Sequence, residues 1–160
     1  MNGDPADAPL IYLDTNVLIL AFETSAPDVA PARALLKALQ ARPGASATSV
    51  LTLAELLAPI QRGGAMSPDE RRALYEGLLL DNEFIRLADV TRDIVLDSAE
   101  LRRTAILKLP DSIHLATARS LGCAYFVSHD RDGRRLPAGM EAVAPTAQGV
   151  TRLQEALGHV

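Results

Sequence analysis

The sequence has little of several features that mark particular classes of protein. Cys123 is its only cysteine, which excludes an intramolecular disulfide and a cysteine-based zinc site. There is no tryptophan and the aromatic fraction is 4%, so base stacking is not expected to dominate any binding of RNA. No apolar run approaches the roughly 20 residues that span a bilayer, and we therefore expect no association with a membrane.

Basic residues are also fewer than acidic ones. The chain has 16 basic and 20 acidic residues, a formal net charge of −4, which argues against a protein that coats duplex DNA by electrostatic attraction. A bound cation can reverse the local sign, so nucleic acid can still bind at a metal-bridged site. The segment Met1-Asn2-Gly3-Asp4 has no basic residue, and we expect no secretory signal and a cytoplasmic protein.

Short apolar runs alternate with stretches of helical periodicity along the chain. The predicted strands are 10–13, 45–50, 84–90, 124–128 and 140–144. The predicted helices are 17–22, 31–42, 51–60, 67–80, 91–106, 111–121 and 146–157, of which 51–60 is apolar almost all round and should be buried. This alternation predicts an α/β fold with a mostly parallel sheet. We expect residues 1–9 to be frayed, residues 10–145 to form one domain, and residues 146–160 to form a helix that packs on it.

Four acidic residues lie where chemistry would be expected in such a fold. Asp14 directly follows the first predicted strand, and Asp130 follows the fourth. In an open α/β sheet, ligands bind beyond the carboxyl ends of the strands. Glu55 lies in a segment otherwise nearly free of charge, and Asp111 opens a predicted helix.

Each acid also has an ordinary structural interpretation. Asp14 and Asp111 could cap helices, and Asp130 could belong to a turn in the Asp- and Gly-containing segment 129–133. Glu55 is harder to explain, because a charge in an apolar helix is rarely buried without a partner, and only Arg62 is near in sequence.

Convergence of the four carboxylates would have strong electrostatic consequences. Two like charges about 4 Å apart repel by roughly 4 kcal/mol at an effective dielectric constant of 20. Such a cluster partly protonates or binds a cation, and oxygen-only ligands favour Mg²⁺ or Mn²⁺ over zinc. A site of this kind suits the cleavage of phosphodiester bonds.

Four segments, in this order along the chain, resemble the acidic motifs of PIN-domain nucleases. They are LDTNVL at 13–18, TLAELL at 52–57, PDSIHLATA at 110–118 and FVSHDRD at 126–132. The resemblance covers roughly residues 10–144, and the compact size is most similar to VapC-type toxins of toxin–antitoxin pairs.

The resemblance implies a PIN-like three-layer α/β fold, with a parallel sheet of about five strands flanked by helices. It implies a Mg²⁺- or Mn²⁺-dependent endoribonuclease that cleaves single-stranded or loop RNA and is the toxin of a type II toxin–antitoxin pair. It also implies a homodimer and a cognate antitoxin whose tail occupies the active-site groove. The family's catalytic, metal-binding acids correspond to Asp14, Glu55, Asp111 and Asp130.

Further positions carry supporting roles by the same resemblance. Asp132 matches an additional metal-binding acid that many members have, and Thr15, Asn16 and Ser128 match positions that support the site by hydrogen bonds. Ser128-His129-Asp130 replaces the more usual Thr-Asn-Asp; the hydroxyl is kept, and His129 is expected to face solvent.

Other residues near the motifs are weaker candidates. Three arginines cluster just after Asp130 and could hold RNA phosphates by bidentate hydrogen bonds: Arg131, Arg134 and Arg135. His114, three residues after Asp111, could be a ligand or an acid–base group, although a packing or supporting role is favoured because a carboxylate site needs no imidazole.

Three alternative functions stay open at this point. The chain could be a PIN-fold nuclease of RNA processing that is not a toxin, or a non-catalytic module that binds RNA or protein. Retention of all four acids argues against the module, because clustered acids without a metal destabilise a fold. A phosphatase with an aspartate nucleophile after the first strand needs a second aspartate two residues on, where this chain has Asn16.

Overall fold

Strand β1 (Ile11–Leu13) lies at the centre of a five-stranded parallel sheet in the computed structural model, which describes residues 8–25, 27, 29–58, 66–130 and 136–158. The other strands of the described chain are β2 (Ser46–Ser49), β3 (Ile85–Ala88), β4 (Tyr125–Val127) and β5 (Glu141–Val143). Their order in the sheet is β3-β2-β1-β4-β5, and every neighbouring pair is parallel. The prediction of a parallel sheet of about five strands is confirmed.

Seven helices surround this sheet in the described part of the chain. They are α1 (Thr15–Glu23), α2 (Val29–Gln40), α3 (Val50–Leu57), α4 (Pro68–Leu79), α5 (Arg92–Thr104), α6 (Leu109–Ser120) and α7 (Ala147–Ala156). No described helix is long and apolar enough to cross a bilayer.

Alternate residues of the central strands face two separate hydrophobic layers. Ile11 and Leu13 belong to a buried cluster supplied largely by α1, α2, α4 and α7, whereas Tyr12 and Phe126 belong to a second cluster with residues of α5 and α6. Successive side chains of a strand point to opposite faces, so a sheet covered on both sides produces this division. The result is the three-layer α/β arrangement expected from the sequence.

Local capping signals explain where several helices begin. Ser67 caps α4 in a reciprocal capping box with Glu70, as the segment Ser67-Pro68-Asp69-Glu70 predicts. Thr91 caps α5 and Thr146 caps α7 by accepting hydrogen bonds from the backbone of the first turn.

Several predicted boundaries and one burial prediction were wrong, and the following are the most informative. Helix α1 begins at Thr15 rather than at residue 17, because Asp14 caps it. Val50 starts α3 instead of ending β2, since Ser49 is the cap. Helix α6 begins at Leu109, before Asp111, with Pro110 in its first turn. Helix α3 packs on α1, α4 and β2, but only Thr52 and Leu56 are fully buried, whereas Val50 and Ala54 are exposed on its open side.

Candidate functional site

Asp14 is the residue around which the site is built. It follows β1 directly, its backbone N–H donates to the carbonyl of Val127 at 2.9 Å, and its carboxylate is buried. Oδ1 accepts the backbone N–H of Thr15 at 2.8 Å, while Oδ2 accepts the hydroxyl of Ser128 at 2.9 Å and the amide of Asn16 at 3.3 Å. The cap interpretation of Asp14 is therefore correct, and the same carboxylate also lies among the other candidate residues.

Asn16 and Ser128 join the turn after β1 to the end of β4. The Asn16 amide donates to Ser128 Oγ at 3.0 Å, and its Oδ1 accepts the backbone N–H of His129 at 2.9 Å. Ser128 Oγ also accepts the backbone N–H of Asp130 at 3.2 Å. The Ser128 hydroxyl thus uses its one donor on Asp14 and both of its acceptor positions, which fixes the geometry of this edge of the sheet.

Glu55 lies on α3, and its carboxylate contacts residues of two other helices. Its Oε2 accepts a short hydrogen bond from the hydroxyl of Thr15 and lies 2.8 Å from Nε2 of His114. Burial opposes ionisation of the carboxyl, but these two hydrogen bonds outweigh it and hold the pKa of Glu55 below its ordinary value. Arg62, the basic residue nearest in sequence, lies outside the described residues.

His114 connects the two acids from the opposite side of the sheet. It is buried in α6, and its Nε2 lies 2.8 Å from Glu55 Oε2 and 3.8 Å from Asp14 Oδ1. Its Nδ1 lies 2.7 Å from the hydroxyl of Tyr12, a fully buried side chain of β1. These contacts fit a supporting role for His114 better than a role in packing alone.

A buried line of threonine hydroxyls continues from Thr15 beneath the acids. Thr15 Oγ1 lies 3.3 Å from the hydroxyl of Thr52, which lies 2.7 Å from that of Thr48, and Thr48 donates to the carbonyl of Leu13 at 2.7 Å. Sequence reasoning missed Thr48 and Thr52. The available signal was two threonines four residues apart at the end of a strand and the start of an otherwise apolar helix.

Asp111 and Asp130 come from two other elements, α6 and the segment after β4. Asp111 lies half-buried in the first turn of α6, where a carboxylate is favoured by the helix dipole, and one turn before His114. Because Lys108 is the N-cap, the interpretation of Asp111 as a cap is wrong. Asp130 is exposed and follows β4, and Ser128 links its backbone to Asp14.

The donor set suits a hard divalent ion by its chemistry, since carboxylates dominate and hydroxyl and amide oxygens surround them. Among the described residues, no three His, Cys, Asp or Glu side chains already form a group that could hold a metal ion. One reason is visible at Glu55, where Oε2 faces Thr15 and His114. The predicted residues Arg131, Asp132, Arg134 and Arg135 lie outside the described part of the chain.

Comparison with known proteins gives matches that agree with this geometry. The family profile of the PIN domain matches residues 11–139. A comparison with curated protein sequences gives no significant match.

Similar solved structures come from toxin–antitoxin complexes. A chain of a toxin–antitoxin complex from Klebsiella pneumoniae is 27% identical, with a TM-score of 0.61; the match covers 84% of this chain and 97% of that one. DNA-bound VapBC from Salmonella typhimurium gives 19% identity and a TM-score of 0.64, over 86% and 98% of the two chains. VapBC2 from Rickettsia felis, bound to a promoter DNA fragment, gives 17% identity and a TM-score of 0.62, and the match covers 84% of this chain and 98% of that one. The last two identities support the fold alone.

Proposed function

The chain belongs to the PIN-domain family, whose members are nucleases, and from this premise we propose that it is a Mg²⁺- or Mn²⁺-dependent endoribonuclease. Its substrate is single-stranded or loop RNA, and it acts in the cytoplasm as the toxin of a type II toxin–antitoxin pair. The observation that carries the proposal is that the carboxylates of Asp14 and Glu55 both lie close to Nε2 of His114. In addition, the Ser128 hydroxyl donates to Asp14 and accepts the backbone N–H of Asp130. These acids come from three of the four motifs, at the carboxyl edge of the sheet.

The metal would be held by Asp14, Glu55, Asp111 and Asp130, with Asp132 as an additional ligand. When bound, the ion supplies positive charge for the phosphate and lowers the pKa of water for attack on phosphorus. The protein's part is to hold the carboxylates. Ser128 and Asn16 fix that of Asp14, and Thr15 fixes that of Glu55.

The same acids make binding of RNA depend on the cation. Asp14 is buried and Glu55 has 31% of its side chain exposed, so their charges are only partly screened by water. A phosphate that approaches them alone meets like charge at short range, where the repulsion amounts to several kcal/mol. We therefore expect chelation to abolish cleavage and to weaken RNA binding at this edge of the sheet.

The toxin assignment is supported by the complex from Klebsiella pneumoniae, since the match covers 97% of that chain at 27% identity. We propose a cognate antitoxin protein as the partner and a homodimer as the assembly, with no membrane partner.

The test is cleavage of a mixed-sequence single-stranded RNA by purified protein in Mg²⁺, in Mn²⁺ and in EDTA. Wild type should cut only with a metal, and Asp14→Asn should not cut. The matched control is Asp97→Asn, which neutralises an aspartate that pairs with Arg119 on the outer face of α5 and α6. It should cut as wild type does, and an Asp14→Asn protein that still cuts would refute the assignment.

Induced expression in a bacterial host separates the toxin from a processing nuclease. Wild type should arrest growth, Asp14→Asn should not, and Asp97→Asn should behave as wild type. Metal-dependent cleavage in vitro without growth arrest would favour an RNA-processing nuclease. Binding of RNA without any cleavage would favour a non-catalytic module.

A further inference from the structure

A buried histidine and tyrosine lie behind the acidic edge, and no motif role is assigned to them. The structure contains a continuous hydrogen-bonded line from the Tyr12 hydroxyl to His114 Nδ1 at 2.7 Å and from His114 Nε2 to Glu55 Oε2 at 2.8 Å. Both Tyr12 and His114 are almost completely shielded from water. They come from β1 and α6, whereas Glu55 comes from α3, so the line ties three elements together.

We propose that His114 is a positioning residue for the Glu55 carboxylate, and that Tyr12 orients His114 for that task. The proposal rests on the proposed function, because it assigns Glu55 to the metal site. Neither His114 nor Tyr12 need contact RNA or the ion.

The donors and acceptors in the line can be assigned. Glu55 Oε2 already accepts a hydrogen bond from the hydroxyl of Thr15, so it is an acceptor in the line. His114 Nε2 is therefore the donor to Glu55. In the neutral imidazole, Nδ1 is then an acceptor, so the hydroxyl of Tyr12 donates to it.

Packing fixes the two side chains in place. The Tyr12 ring stacks on Phe126 with centroids 5.2 Å apart and an interplanar angle of 9°, and meets the imidazole edge-on at 5.9 Å. His114 and Tyr12 are therefore both held by buried ring contacts. Glu55, by contrast, lies on a helix with one open side and 31% of its side chain exposed. A partly exposed carboxylate has several rotamers available, and a rigid buried donor selects one of them.

A fixed orientation of the Glu55 carboxylate matters for metal binding. Loss of a residue that hydrogen-bonds to a metal ligand commonly lowers metal affinity or activity by about 10- to 100-fold. The Thr15 hydroxyl holds the same oxygen of Glu55 from the side of α1. Loss of His114 would remove the donor that comes from α6 and leave the Thr15 hydroxyl in place.

The experiment measures the dissociation constant of Mn²⁺ by calorimetry, with thermal unfolding and RNA cleavage as second and third readouts. His114→Leu removes both ring nitrogens at similar volume and should weaken Mn²⁺ binding by about 10- to 100-fold. His114→Gln can still donate to Glu55 and should recover most of that affinity. Tyr12→Phe keeps the imidazole but removes the orienting hydroxyl, and should weaken binding by a few-fold.

Tyr75→Phe is the matched control. It also removes the hydroxyl of a fully buried tyrosine that donates to a carboxylate, Glu23, at 2.7 Å, but in the other hydrophobic layer. It should lower the unfolding temperature and leave Mn²⁺ affinity unchanged. A merely structural role for His114 and Tyr12 predicts that all of these variants lose stability and none loses affinity in the folded state.

The outcomes separate the two proposals. Wild type that binds Mn²⁺ and cuts RNA, beside a His114→Leu protein with wild-type affinity, would overturn the role of His114 and leave the proposed function intact. His114→Gln no better than His114→Leu would likewise overturn it. Unchanged affinity in Tyr12→Phe would remove Tyr12 from the assignment. Wild type that neither binds Mn²⁺ nor cuts RNA would overturn both proposals. If His114→Leu does not fold, the Gln and Phe variants decide.

Discussion

Replacement of glycine by alanine should have opposite effects on stability in two helices of this protein. Gly149 is the third residue of α7, and a Cβ built there would overlap the backbone carbonyl oxygen of Ala144 and lie 3.0 Å from Val143 Cγ1. Gly77 lies within α4, and a Cβ there would meet nothing described within 4 Å. The same substitution therefore tests packing at one site and helix propensity alone at the other.

The magnitudes follow from these contacts. Overpacking costs about 1–3 kcal/mol, and the upper end applies at Gly149 because the obstacle is backbone and cannot rotate away. Alanine gains about 1 kcal/mol of helix propensity, so Gly149→Ala should lose about 2 kcal/mol net. Gly77→Ala should gain about 0.5–1 kcal/mol. At about 2–4 °C per kcal/mol, the unfolding temperature should fall by about 4–8 °C in the first variant and rise by about 1–4 °C in the second.

Thermal unfolding followed by circular dichroism, with urea titration as a check, measures both variants. A Gly149→Ala protein as stable as wild type would refute the close packing of α7 against Ala144. This packing is relevant to the site, because the carbonyl of the neighbouring Val143 accepts the backbone N–H of Ser128 at 3.2 Å.

Three further predictions concern single side chains. Burial raises the pKa of the Cys123 thiol to about 12, so above about pH 8.5 the unfolded chain loses a proton that the folded chain keeps. The free energy of unfolding should then fall with rising pH by up to about 1.4 kcal/mol per unit, and Cys123→Ala should lack this component in urea titrations. Ser128→Ala should reduce RNA cleavage about 10-fold while Ser128→Thr, which keeps the hydroxyl, should not; equal rates would contradict the role of that hydroxyl. Glu23→Gln should cost about 3–5 kcal/mol in urea unfolding, because it leaves the buried guanidinium of Arg71 without its counter-charge; a loss below 1 kcal/mol would contradict this.

The strands were predictable because their signals are local. Strands β1 and β4 are short apolar runs, and Asp14 and Ser128 mark their ends. The starts of helices were harder to predict where the same residue is acceptable both before the helix and within its first turn. Pro110 can precede a helix or occupy its first turn, and the sequence does not distinguish these; the structure has it in the first turn of α6.

The contacts within the site were beyond sequence reasoning. Glu55 needed a partner, and one that the structure gives it is His114, which lies 59 residues away and carries no signal in the neighbourhood of Glu55. The two meet because β2 and β1 are adjacent in the sheet and α6 packs beneath them. Periodicity predicts which elements form, but it contains no information on which side chains face each other across them.

Asp14 allows function and stability to be separated at one position. Its Oδ1 caps α1, and asparagine is as good a cap as aspartate, whereas alanine costs about 1 kcal/mol. In Asp14→Asn the amide nitrogen that replaces Oδ2 can no longer accept the Ser128 hydroxyl, so one hydrogen bond is lost while the cap is kept. Asp14→Asn should thus unfold somewhat earlier than wild type and Asp14→Ala earlier still, while both lose Mn²⁺ binding and cleavage. Loss of activity that tracked stability across the two variants would mean that Asp14 acts through the fold and not as a ligand.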